Sequence, residues 1–399
     1  MPPISRQIQD FLRAHRTDDV RELLLAQSRY PEIDMAWAAC QISGWQTACQ
    51  KLPLWAQTDG ILYPPRLNME QCSSQQAATY KAQIVSGGET MTDLTAGFGV
   101  DATMLAQKYR HLNYVETDAT LCSIAENNLP LLGITRFSIH HANATETLRR
   151  LPRQDLIYID PARRNQYGQK VYALCDCTPD VTKMQDLLAE KADTVLLKLS
   201  PMLDIEHVKR TLKNIVELHI VSNNGECKEL LVKLQSIPLE ETEIHCVNIK
   251  ATGITEQFCF TAHTERSATC HYADTLGQYL YEPNASLMKA APFKSLAQAY
   301  GLQKVSPHSH LYTSDHPVAD FPGRIFHIET TLTLNKRDVK EKLSALQQAN
   351  ITVRNFPLTV AQLRQRLKLK EGGNDYLFAT TLNDGSHILI HSTTYCKTT

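Results

Sequence analysis

Apolar residues change their spacing along the chain, and the changes divide it. Over the first 50 residues they recur at helical intervals. Ile8, Phe11 and Leu12 make one patch, and Val20, Leu23, Leu24 and Leu25 another. Asp18 stands where an N-cap for the second helix belongs, and residues 36–45 predict a third helix. This region reads as a helical cap, either purely packed on a catalytic domain or also touching its substrate. Residues 60–68, GILYPPRLN, predict a short extended piece whose prolines keep it out of any central ladder position. A helix then runs to about residue 85, capped by Ser73 or Ser74, with Ala77, Ala78, Lys81 and Ala82 on one face. Gly87 and Gly88 end it.

From residue 91, short apolar runs alternate with helical stretches. Strands are predicted at 91–95, 112–117, 136–140, 155–160, 194–199, 216–222 and 243–250, with a last at 256–262. Helices are predicted at 101–108, 121–132, 181–189 and 227–234. Strand, helix, strand at this spacing is the pattern of a mostly parallel sheet covered on both faces. Only ATGIT separates the last two strands, which favours an antiparallel, hairpin-like ending and a sheet mixed at one edge. Residues 301–324, rich in His, Ser, Pro and Asp, read as loop and linker around a small subdomain. Beyond them come strands at 325–334, 351–355, 376–382 and 387–391 and helices at 338–348 and 360–367, with Asn383-Asp384-Gly385 as a hairpin turn. The expected fold class is α/β: a Rossmann-like seven-stranded sheet with an N-terminal helical region and a small C-terminal α+β domain.

A length of 399 residues implies two or three domains, and 43% hydrophobic with 21% charged residues implies folded cores. The net charge of -1 gives no overall basic footprint for nucleic acid, so any such footprint must be local. The 11 cysteines are scattered and odd in number, which argues against a disulfide-stapled secreted domain. Cys175 and Cys177 have one residue between them, poor zinc spacing, and His140 and His141 belong to no HExxH pattern; no metal is expected. Arg6, Asp10, Arg13 and Arg16 interrupt any leading apolar run, and no run approaches the roughly 18 apolar residues of a membrane span. A cytoplasmic location is expected.

Candidate chemistry gathers between residues 92 and 164. In TDLTAGFGVDA, Gly97 and Gly99 let the backbone turn sharply past a strand and approach a ligand closely. The helix beyond points free N–H groups back at the bend. GxxxxGK[ST] and GxGxxG are both missing, so a Walker loop and a dehydrogenase are disfavoured. Asp93 can hold a positive group at the bend. Glu116, at the end of the next strand, can accept both hydroxyls of a ribose. Asn143, past the third strand, can read an adenine edge. Asp160-Pro161 leaves the fourth strand at the carboxyl rim, where Asp160 can orient an attacking amine. Arg163, Arg164 and Lys198 are apt for phosphate or carboxylate groups.

DLTAGFGVDA, YVETD, HANA, YIDPARR and LLKLSP fall in the order and spacing of a class I S-adenosylmethionine-dependent methyltransferase, which residues 70–262 resemble. The resemblance implies S-adenosylmethionine as cofactor. It implies that Asp93, Thr95, Gly97 and Gly99 hold its methionine end, Glu116 its ribose, and Asn143 with Ala144 its adenine. Asp160 and Pro161 match the start of the catalytic tetrad of amino-group methyltransferases, in which two prolines and an aromatic residue follow the first position. Ala162 and Arg163 depart from it. The segments CSSQQAATYKAQI, YEPNASLMKAAPF and RNFPLTVAQLRQRLKLKEGGNDYLFAT are similar to a bacterial group of methyltransferases with a C-terminal THUMP-like domain. This implies an N-terminal helical region at 1–70, a methyltransferase domain at 71–265, a ferredoxin-like piece and linker at 266–324, and a THUMP-like domain at 325–399. Between Thr331 and Gly373 stand nine basic residues (Lys336, Arg337, Lys340, Lys342, Arg354, Arg364, Arg366, Lys368 and Lys370) against three acidic ones. RNA is therefore the expected partner through this domain, and methyl transfer to RNA, at a base amino group oriented by Asp160, the expected activity. A small-molecule or protein acceptor, or an inactive RNA-binding protein of this fold, remains open, as does the oligomeric state.

Overall fold

Four consecutive residues, Leu156 to Ile159, are each 1% exposed or less, the mark of a strand covered on both faces. They lie in a computed structural model that describes residues 5–162, 174–237, 239–253 and 255–395. The chain divides into two compact units: Met1–Leu218 with Glu229–Glu240, and His219–Lys228 with Glu241–Thr399.

The first sheet contains β1 (Gly88–Asp93), β2 (Tyr109–Glu116), β3 (Phe137–His141), β4 (Gln154–Ile159), β5 (Ala192–Leu199), β6 (Ile215–Asn223), β7 (Glu226–Gln235), β8 (Glu243–Ile249) and β9 (Thr255–Phe260). Their order is β3-β2-β1-β4-β5-β7-β6-β8-β9. The pairs from β3 to β5 are parallel, whereas β5 with β7 and β8 with β9 are antiparallel. The helix expected at 227–234 is therefore strand β7, and the strand expected at 243–250 follows it as β8, in a sheet of nine strands. Leu230, Leu231 and Val232 are fully buried in succession, which suits a strand inside a sheet better than one face of a helix. Asn224-Gly225, both at positive φ, makes the tight turn from β6 to β7. β8 and β9 form the expected antiparallel ending.

The N-terminal helices start where acidic or hydroxyl side chains can accept the first free N–H groups. Ser5, Asp19 and Asp34 cap Arg6–His15, Val20–Leu25 and Met35–Lys51. Asp19, rather than Asp18, is thus the second cap. Residues 66–68, read as the end of an extended piece, instead begin a short helix, Arg66–Gln71, after Pro64 and Pro65. Trp55, fully buried, packs in one cluster with Tyr63, Met69, Phe98, Val100 and Leu121, joining this region to the sheet's first loop and helices.

In the second unit, a seven-stranded sheet contains β10 (Tyr279–Pro283), β11 (Gln303–Lys304), β12 (Tyr312–Ser314), β13 (Gly323–Leu332), β14 (Asn350–Arg354), β15 (Asp375–Thr381) and β16 (His387–Thr394). The order is β11-β12-β10-β13-β16-β15-β14. Residues 301–324, read as loop and linker, thus supply two short strands, β11 at the edge and β12 beside it. The helices Lys336–Leu343 and Val360–Leu367 bury Leu343 and Leu363 in one cluster with Leu332, Leu377 and Leu389, so both cover one face of the sheet. Glu282, 4% exposed, receives both Arg324 and Arg354. Arg354 is thereby taken out of the basic surface counted from sequence.

Gly225 has φ +79° and no atom within 4 Å of a would-be Cβ, so its constraint is conformational. Gly225→Ala is expected to cost about 1–2 kcal/mol, the penalty of a left-handed L-residue. Urea denaturation measures this, and an unchanged midpoint contradicts the turn.

Candidate active site

β1 ends in Asp93, 1% exposed, whose carboxylate accepts the Thr95 N–H at 2.9 Å. The chain then bends through Gly97 (φ +57°) and Gly99 (φ +82°). A Cβ on Gly99 would lie 3.2 Å from the Tyr114 ring, whereas one on Gly97 would meet nothing nearer than 3.9 Å. Gly99 is therefore fixed by packing as well as conformation, and Gly97 leaves room beside the bend. β2 clamps that bend. Gly97 N–H donates to Glu116 Oε2 at 2.9 Å, and the Tyr114 hydroxyl donates to the Gly97 carbonyl. Glu116 Oε1 accepts the N–H groups of Thr117 and Asp118 at 2.7 and 2.9 Å. The carboxylate is thus held at the rim, and Oε2, which accepts one N–H among the described residues, has a second lone pair to offer.

The same rim carries the end of β4. Asp160 N–H donates to Thr95 Oγ1 at 2.7 Å, which ties the Asp-Pro turn to the glycine bend. Asp160 Oδ2 receives Lys198 Nζ from the end of β5 at 2.5 Å. Lys198, read from sequence as apt for phosphate or carboxylate groups, is committed to this carboxylate. Pro161 is buried, and Ala162 exchanges two backbone hydrogen bonds with Thr178. Arg163 and Arg164 lie outside the described residues. After β3, the Asn143 side-chain oxygen caps the helix Ala144–Arg150 by accepting the Thr145 N–H at 2.9 Å. Ala144, buried at the first helical position, has an N–H without an intrahelical acceptor.

Sequence reasoning missed the layer beneath. Lys81, fully buried, bonds Glu229 Oε2 at 2.8 Å, Asp101 Oδ1 at 3.1 Å and Ser73 Oγ at 3.1 Å. Ser73 and Tyr158 each donate a hydroxyl to Asp101 Oδ2 at 2.7 Å. Glu229 Oε1 is buried with no hydrogen-bond partner among the described residues. Glu229 was hidden by the helical reading of its segment. Lys81 carried a usable signal, a lone charge on an otherwise alanine face.

Among the described residues, this rim and its underlayer bring together five carboxyl groups, those of Asp93, Asp101, Glu116, Asp160 and Glu229, and two ammonium groups, those of Lys81 and Lys198. Burial, with Asp101, Asp160 and Glu116 nearby, pushes the Asp93 carboxyl well above the usual carboxylate range. Burial also raises Glu229, although Lys81 and Lys198 work against it. Asp101 is opposed by burial but lowered overall by Lys81, Lys198 and its two hydroxyl donors. Burial disfavours the Lys198 ammonium, yet the charges of Asp160, Asp101 and Glu229 outweigh it and raise its pKa. In the second unit, Glu243, His245 and Cys259 place ligand-type atoms within 4.8 Å of one another.

Family profiles described as a ferredoxin-like domain and as THUMP domain-like match residues 279–322 and 323–393. A solved structure from Porphyromonas gingivalis W83, assigned as a methyltransferase, is 34% identical over 98% of both chains, with a TM-score of 0.86. This chain belongs to that methyltransferase family. Its members combine an S-adenosylmethionine-dependent methyltransferase fold with a C-terminal THUMP-like domain. TrmK of M. capricolum (11% identity, 41% of this chain and 68% of that one, TM-score 0.32) and an rRNA methylase of Streptococcus thermophilus (12%, 40% and 93%, 0.30) are more distant and carry no argument. No curated protein matches the methyltransferase. Among its described residues no helix is long and apolar enough to cross a membrane.

S-adenosylmethionine is the cofactor of the methyltransferase, and the rim fits it. The acidic excess suits a ligand that carries a sulfonium and an ammonium, and the bend at Gly97 has room for close approach. Lys81→Met leaves Asp101 and Glu229 buried without their cation and is expected to cost about 3–5 kcal/mol. Adding Glu229→Gln should recover part of that loss. Chemical denaturation at pH 7 tests both, and a change under about 1 kcal/mol for Lys81→Met contradicts the pairing.

Proposed function

We propose that the protein methylates RNA at a base amino group, with Asp160 orienting the acceptor. Residues 71–265 would form the transferase domain, 266–324 the ferredoxin-like piece and linker, and 325–399 the RNA-anchoring domain, behind the helices of 1–70. The observation that carries this reading is the 2.7 Å bond from Asp160 N–H to Thr95, which keeps a carboxylate beside the cofactor bend.

S-adenosylmethionine supplies an electrophilic methyl group. Asp93 and the bend from Thr95 to Gly99 would hold its amino-acid end, Glu116 its ribose hydroxyls, and the Ala144 N–H, with Asn143 shaping that turn, its adenine. The Asp160 carboxylate would accept an N–H of the acceptor amine, aim its lone pair, and offset positive charge as the nitrogen is alkylated. Lys198 would fix the orientation of that carboxylate, and the rigid Pro161 the direction in which the chain leaves it.

The RNA assignment draws on the THUMP-like domain and on its charge. Lys336, Arg337, Lys340, Lys342, Arg366, Lys368 and Lys370 are exposed, on or just after two helices that share one face of the sheet. Such a surface suits phosphate contacts.

Asp93→Asn should separate stability from binding. A carboxyl whose folded pKa is raised loses its stabilising contribution as pH rises through that value. The amide variant is therefore expected to melt higher than wild type at pH 8 without cofactor, yet to bind S-adenosylmethionine about tenfold more weakly or worse. Thermal melting and calorimetry read the two effects, and equal affinity would remove Asp93 from the cofactor site.

Transfer of tritiated methyl groups into RNA, protein and metabolite fractions identifies the acceptor. Label is expected in RNA, and label in another fraction alone would reject the reading. Asp160→Asn is expected to lower kcat about a hundredfold or more while cofactor affinity stays within about twofold; full turnover would refute its role.

A further inference from the structure

The N-terminal helical region holds a half-open cavity of about 120 Å³. Leu12, Ile42 and Ile61 give it an apolar lining, Trp45 and Tyr63 bring aromatic rings, and Arg13 and Arg16 stand at its edge. We infer that this cavity takes one unpaired nucleotide of the RNA acceptor, with the base beside Trp45 and the phosphate on Arg13 and Arg16. The inference rests on the RNA reading of the catalytic rim.

The walls are already fixed. Trp45 Nε1–H donates to the Ala56 carbonyl at 3.1 Å, which sets the indole plane. The Gln41 side chain donates to the Tyr63 carbonyl at 2.9 Å and accepts the Tyr63 N–H at 2.8 Å. Gln46 donates to the Arg16 and Asp18 carbonyls at 3.0 and 2.8 Å and so fastens the end of the first helix. A ligand entering here has little left to order.

The chemistry selects a flat, anionic occupant. The Arg16 guanidinium lies over the Trp45 ring, 4.7 Å from its centroid, a cation–π contact beside which a base can pack. Arg13 pairs with Asp59 at 3.1 Å, but both side chains are largely exposed (59% and 88%). Such pairs contribute little, so Arg13 can turn to a phosphate at small cost. The volume is below the roughly 300 Å³ of a drug-sized pocket, which suits a single base rather than a longer segment. Single-stranded RNA is commonly read by stacking splayed bases on aromatic and guanidinium planes.

The cavity also adjoins the cofactor bend. Tyr63 packs against Phe98, between Gly97 and Gly99, with ring centroids 6.4 Å apart. Asn128 clamps the Leu62 backbone at 2.9 and 2.8 Å, which anchors this wall to the helix following β2. An RNA strand with one nucleotide here would be held beside the rim that carries Asp160.

The test titrates the four ribonucleoside 5′-monophosphates into the full-length protein by calorimetry. At least one should bind with a Kd of roughly 1 mM or tighter. Arg16→Ala, a change at an exposed residue, should weaken it about tenfold, and Trp45→Ala at least as much, because stacking on a base is worth about that factor. S-adenosylmethionine affinity should not change in either variant. In the RNA transfer assay Arg16→Ala should raise KM about tenfold and leave kcat unchanged. Failure of all four monophosphates to bind, or binding that ignores Arg16→Ala, overturns the site. RNA methylation with an unaltered KM in Arg16→Ala removes this site and leaves the catalytic reading standing. Monophosphate binding that depends on Arg16, with no RNA accepting methyl, does the reverse.

Discussion

An excess of buried and half-buried carboxyl groups, among the described residues, at one end of the parallel sheet is the constraint on which the rest of this structure depends. Removing a carboxylate from water costs several kcal/mol unless a positive group or hydrogen-bond donors replace the water. Lys81 answers that cost for Asp101 and Glu229, and Lys198 answers it for Asp160. Asp93 accepts one backbone N–H and stays pushed toward its neutral form. A site left short of positive charge in this way is prepared for a cationic ligand, because the missing charge arrives with it.

The two lysines also explain why distant segments belong to one site. Lys81 comes from the helix before β1, Lys198 from the end of β5, and Glu229 from β7. Their pairing fixes the depth at which the Asp-Pro turn sits, and the Thr95–Asp160 bond sets its distance from the glycine bend. The glycine bend and the Asp-Pro turn are thereby one hydrogen-bonded unit. In the second unit Glu282 does comparable structural work, joining β10 to β13 and β14 through Arg324 and Arg354. That role accounts for the YEPN segment without any catalytic part.

Much of this was legible in the sequence because it is local. Strand periodicity located β1 to β5, and glycines at positive φ sit where a bend must pass close to a neighbouring ring. Asp93, Glu116 and Asp160 stand at strand ends, where the topology alone places them at the rim. What escaped was non-local. The run Leu230–Leu231–Val232 fits a buried helix or a buried strand equally in isolation, and only the Asn224-Gly225 turn distinguishes them. The partnership of Lys81 with Glu229 spans 148 residues and has no sequence pattern. Arg354 looked like one more surface cation because nothing near it in the chain reveals Glu282. The Asn143 side-chain oxygen was assigned to adenine, but a helix beginning at the next residue claims it first.

The central claim is that the rim's unbalanced carboxylates are completed by the cofactor's positive charge. Calorimetric titration of S-adenosylmethionine between pH 6 and 8, in buffers of different ionisation enthalpy, tests it most directly. The raised Asp93 pKa predicts that a proton is released on binding and that affinity rises with pH, more steeply than for S-adenosylhomocysteine, which lacks the sulfonium. Affinity independent of pH, with no proton released and no preference in slope between the two ligands, would contradict the account.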